Sequence, residues 1–110
     1  MVNNKDTIEQ FDYIIVATGH YSYPNLPDFK GIELFKGKIA HCHELREFNE
    51  FKNLNVLVIG GSYSAEDVTL QCYKYGAKRI IWGYRKMKMN YNMTDIPKNI
   101  EVIPGLSHFD

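Results

Sequence analysis

Asn55 to Ile59 (NVLVI) is a β-branched apolar run that stops at Gly60-Gly61, and this junction constrains the chain more than any other feature. Such a run fits a strand of a parallel sheet, and paired glycines suit a point where the backbone must turn sharply. From Tyr63 to Tyr75, Ala65, Val68 and Cys72 recur at helical spacing, and Gly76 stands where a left-handed cap is wanted. Arg79 to Tyr84 (RIIWGY) reads as a second buried strand. Strand, glycine turn, helix and strand within about 30 residues make a βαβ unit, whose two strands run parallel. The expected fold is α/β, a partial Rossmann-like domain over 55–110.

The flanks are less regular. Phe11 to Ala17 (FDYIIVA) predicts a buried strand at about 12–17, closed by Thr18-Gly19. His20 to Lys38 carries Pro24, Pro27, Gly31 and Gly37, which break any period and predict a linker. A short strand is expected at Lys38 to His43, and another at Asn99 to Ile103 before Pro104-Gly105. Between them, Lys86 to Pro97 keeps no helical face.

Composition narrows the partners. Thirteen basic residues balance thirteen acidic ones across 110 residues, so nothing favours nucleic acid or an anionic membrane. No apolar run reaches the roughly 20 residues of a membrane span, and the polar start gives no signal peptide, so the cytoplasm is the expected compartment. Cys42 and Cys72 lack CxxC spacing and read as reduced packing residues.

The glycine turn carries the chemistry. In a GxGxxG fingerprint the first glycine turns the chain, the second admits a pyrophosphate and the third lets helix and strand pack closely. The corresponding residues are Gly60, Gly61, Ser62, Tyr63, Ser64 and Ala65. Gly60 and Ala65 match, and Ser62 replaces the middle glycine with a small residue whose hydroxyl can donate to phosphate. Unpaired amides and the positive end of the helix dipole converge where an anion would sit. Between Asp67 and Asp95 there is no carboxylate to take a ribose 2′-hydroxyl, whereas Arg85 stands at the tip of the second strand. A guanidinium there holds a 2′-phosphate, which points to NADPH rather than NADH. Lys74 and Lys78 read more simply as complements to the helix C-terminus.

With FDYIIVATGHYSYP, FKGKIAHCHEL and VLVIGGSYSAEDV set out, the sequence resembles the class B flavin-containing monooxygenases, and within them the bacterial trimethylamine branch. Ala17-Thr18-Gly19 is similar to the segment by which that family passes between its FAD and NADPH domains. Phe35, Gly37 and His41 fit its FxGxxxHxxx(Y/F) motif, with Leu45 in place of the aromatic. The resemblance implies a central section of a longer enzyme: 1–20 as the end of a FAD domain, 21–54 as linker and 55–110 as a truncated NADPH domain. It implies that Thr18 and Gly19 lie by the cofactors, and that Gly60, Gly61, Ser62, Tyr63, Ser64 and Ala65 line NADPH. It implies that Arg85 meets the 2′-phosphate, and that Tyr63 acts near flavin and nicotinamide in controlling access of oxygen; on the residues alone, an aromatic packed against the helix start is the equal alternative for Tyr63. The implied reaction uses NADPH, FAD and O2 to oxygenate a small amine or sulfide.

The residues leave rivals open. The same βαβ unit could serve as a non-catalytic NADP(H)-binding module or as one subunit of a split flavoenzyme. No glycine before residue 55 lies in a GxGxxG arrangement, so the chain carries no FAD fingerprint, and residues 1–110 alone are expected not to turn over. The apolar face at Tyr13 to Val16 would then be exposed for a flavin domain or a second copy. His41-Cys42-His43 lacks a second ligand pair, so no metal site is expected, and GxSxG is absent from the turn.

Overall fold

The computed structural model describes residues 7–86 and 95–105. Its folded part is a three-stranded sheet, β1 (Asn55–Ile59), β2 (Arg79–Tyr84) and β3 (Ile100–Pro104), in spatial order β1-β2-β3. Both pairings are parallel, with Val56 opposite Ile80 and Ile80 opposite Ile100. One helix, α1 (Tyr63–Lys74), joins β1 to β2. The α/β βαβ unit expected from sequence is thus present, with β3 one residue later than the pattern suggested.

Register decides which side chains face the helix. The rows Val56–Ile80–Ile100 and Val58–Trp82–Val102 share one face, and with Ala65, Cys72 and Ala77 they form the core. Burying these groups supplies most of the drive to fold. Cys72 is wholly buried, and desolvation pushes its thiol up to about 11. Thr69 is also buried in α1, and its hydroxyl donates to the Ala65 carbonyl at 2.7 Å, so that hydroxyl is not stranded. On the other face the rows Leu57–Ile81 and Ile59–Gly83–Ile103 end in an exposed Arg79–Glu101 ion pair, which contributes little.

The end of α1 is built from the expected residue. Gly76 takes φ +81°, its N–H donates to the Tyr73 carbonyl at 3.0 Å and that of Ala77 to the Cys72 carbonyl at 3.0 Å. This is the Schellman pattern, reached here because glycine accepts a left-handed conformation. Phe48 and Phe51 pack at this end, with Phe48 stacked on Tyr75 at 6.1 Å.

Two expected strands do not form. Residues 12–17 have no ladder partner, and Ile14, Ile15 and Val16 are 81%, 88% and 82% exposed. A β-branched run becomes a strand only when it is docked on an edge, and this one pairs with neither free edge of the sheet, that of β1 or that of β3. At 38–43 the chain instead makes a 3-10 turn, Cys42–Glu44, against α1. The His41 ring Nδ1 accepts the His43 N–H at 3.1 Å, a local bond that competes with extended pairing. Further 3-10 turns lie at Ile32–Leu34 and Asn49–Phe51 in the linker. Most of the irregular stretch expected over Lys86 to Pro97 lies outside the described residues.

Candidate functional site

The C-terminal edge of the sheet collects the polar groups. At Gly60 the chain leaves β1 with φ +156°, and a Cβ built there would stand 2.8 Å from the Ala65 Cβ. Only a glycine lets α1 come this close, and Ala65, itself buried, is the small residue on the other side. Ala65 therefore does the packing job of the third fingerprint position and faces the strand.

Ser62 precedes α1 in extended conformation, and its carbonyl accepts the N–H groups of Ala65 and Glu66 at 3.0 and 3.2 Å. Its hydroxyl oxygen accepts no capping N–H, and its O–H is available to donate to a ligand oxygen. Among the described residues the amides of Gly61, Ser62, Tyr63 and Ser64 have no backbone acceptor, as the start of a helix dictates. These four donors and the positive end of the α1 dipole surround one mouth, which suits an anion with several oxygens.

Tyr63 is 75% exposed at this mouth, so it is not packed against the helix start. Arg85 follows β2 directly and is exposed. It lies two residues beyond Gly83, whose carbonyl accepts the Gly60 N–H at 3.0 Å. The turn and Arg85 therefore share one edge. Thr18 and Gly19 are not brought to it: both are exposed in the unpaired N-terminal stretch, and nothing lies within 4 Å of the Cβ position at Gly19. Among the described residues no three His, Cys, Asp or Glu side chains group as a metal site.

One contact at the turn escaped the sequence reading. Trp82, 2% exposed in β2, donates its indole Nε1–H to the Gly60 carbonyl at 2.8 Å. The available signal was physical: a buried tryptophan needs an acceptor for its N–H, and this chain has one tryptophan.

Comparison with known proteins agrees with this architecture. Residues 2–104 match the pyridine nucleotide-disulphide oxidoreductase family. A trimethylamine monooxygenase of Methylocella silvestris is 52% identical over 90% of the chain and 21% of its own length. A senecionine N-oxygenase of Tyria jacobaeae is 34% identical over 96% of the chain and 23% of its own. The crystal structure of Tmm from Pelagibacter sp. strain HTCC7211 superposes with a TM-score of 0.75 at 46% identity, covering 91% of the chain and 22% of that protein. The chain thus spans about a fifth of the length of the relatives it matches. These likenesses bear out the resemblance to amine-oxygenating flavin monooxygenases. With the match running through nearly every residue and a glycine turn leading from strand to helix at its centre, the chain belongs to the pyridine nucleotide-disulphide oxidoreductase family.

Proposed function

We propose that this chain is the NADPH-binding section of a flavin-dependent monooxygenase that N-oxygenates small tertiary amines such as trimethylamine. The observation that carries the reading is the set of four uncommitted amides after Gly60, on the same sheet edge as Arg85. The overall reaction would consume NADPH, a proton, O2 and the amine, and yield NADP+, water and the amine N-oxide. A sulfide is the other soft nucleophile such chemistry accepts.

The residues fit the nicotinamide nucleotide. Gly61, Ser62, Tyr63 and Ser64 amides would donate to the diphosphate, joined by the Ser62 hydroxyl. Arg85 would hold the 2′-phosphate as a bidentate partner. Tyr63, at the open mouth, would cover the reacting end and limit the entry of water or oxygen. Bound NADPH supplies the hydride; the protein supplies position. The flavin does not fit this chain's own glycines: Gly19, Gly31 and Gly37 form no phosphate turn, and Thr18 with Gly19 stands in the open. The FAD of such an enzyme would rest on another polypeptide segment, in a cytoplasmic setting, with 1–20 and the apolar face at Tyr13 to Val16 set against it.

Calorimetric titration tests the reading. The chain should bind NADPH in preference to NADH, and Arg85→Ala should weaken NADPH about tenfold to a hundredfold while leaving NADH unchanged. Absence of NADPH binding by the folded chain overturns it. No FAD-dependent NADPH oxidation with trimethylamine is expected from residues 1–110 alone.

A further inference from the structure

We propose that Trp82 is a positioning residue for the diphosphate of the dinucleotide, acting through the carbonyl of Gly60; this rests on the NADPH reading above. The peptide between Gly60 and Gly61 is flanked by two residues without side chains, so sterics alone restrain its orientation least of any in the turn. β2 holds it from two sides. The Gly60 N–H donates to the Gly83 carbonyl at 3.0 Å, and the Gly60 carbonyl accepts the Trp82 indole at 2.8 Å.

The second bond fixes the donor that a ligand would meet. Across a trans peptide the carbonyl and the following N–H point in opposite directions, and no cis peptide is present among the described residues. With the Gly60 carbonyl turned toward the buried indole, the Gly61 N–H is turned away from it. A donor aimed before the ligand arrives costs no reorganisation on binding. Because Trp82 stands on β2, three residues before Arg85, the same strand aims the diphosphate donor and carries the cation for the 2′-phosphate.

The chain has one tryptophan, so replacing tryptophan biosynthetically with its benzothienyl analogue changes Trp82 alone. The analogue keeps the shape of the ring pair and lacks the N–H. Trp82→Phe is the second variant, and circular dichroism verifies that each folds. Each is titrated with NADPH and with adenosine 2′-monophosphate, which has the 2′-phosphate and no diphosphate. The expected result is a rise of about tenfold in the Kd for NADPH, with the Kd for adenosine 2′-monophosphate unchanged. A merely structural role moves both ligands together or neither. Equal weakening of the two, or no change in either, overturns the proposal and leaves the NADPH reading standing. Failure of the unaltered chain to bind NADPH removes both.

Discussion

At the scale of single residues, Gly60 is held by more constraints than any other position at the mouth. Its positive φ and the Ala65 Cβ, which would stand 2.8 Å from a Cβ added at Gly60, both require the missing side chain, and its backbone N–H and carbonyl are each bonded to β2. Gly60→Ala should therefore destabilise the fold by about 2 kcal/mol, measured by urea unfolding. Adding Ala65→Gly should recover part of that loss, because the clash is between those two Cβ atoms; additive effects would refute the contact. Cys72 gives an independent check on the core. Its thiol pKa is raised, so burial favours the protonated form, and its contribution is complete below the unfolded value of about 9. That contribution is lost as pH rises through about 11. At pH 8 one thiol, the exposed Cys42, should react with a disulfide reagent, and two should react in denaturant. At this scale the glycines were readable in the sequence because their backbone demands are local. Trp82 was readable as a buried side chain, but its acceptor lies 22 residues away and appears only when Val58 is set beside it in the sheet.

At the scale of elements, β1, α1 and β2 were legible because each satisfies its own pattern. β1 and β2 are β-branched runs joined by a helix short in sequence, so each finds its ladder partner within the same βαβ unit. The helix face was partly legible: Ala65 and Cys72 are buried as the spacing indicates, and Thr69 joins them although its hydroxyl marks it as polar in any such count. It is buried because the Ala65 carbonyl one turn back accepts its proton. The stretch 12–17 carries a similar apolar signal without forming a strand, since it docks on neither free edge of the sheet, and 38–43, with Ile39 its one β-branched residue, turns locally through the His41–His43 bond. The Schellman end of α1 isolates stability from binding. Gly76→Ala forces a Cβ onto a φ of +81° at the far end of the helix from the mouth. It should cost about 1 to 2 kcal/mol in thermal unfolding and leave the Kd for NADPH unaltered. A change in affinity would mean that the two ends of α1 are coupled.

At the scale of the whole molecule, the sheet and helix account for only the second half of the chain. A compact protein of 12.8 kDa exposes about 6,300 Å², and this chain exposes 9956 Å². Its radius of gyration is 18.5 Å, against about 13 Å for a compact chain of this length. Part of that surplus is the apolar stretch from Ile8 to Leu26, where Tyr13, Ile14, Ile15, Tyr21 and Tyr23 face solvent. What the sequence could not show is where those side chains would be buried, since no surface among the described residues receives them. Limited proteolysis separates the two halves directly. Chymotrypsin should cut first after Phe11, Tyr13 and Tyr21, which lie in unpaired exposed backbone, and spare Tyr23, whose next residue is Pro24. Cleavage after Trp82 requires opening of β2 between its two neighbours and should be slower by a factor close to the unfolding constant of the sheet. Mass spectrometry of the early fragments distinguishes the cases. Simultaneous cutting at Tyr13 and Trp82 would mean that the βαβ unit does not hold without a surface to cover that apolar stretch, and NADPH should then slow the cut at Trp82 by stabilising the folded form.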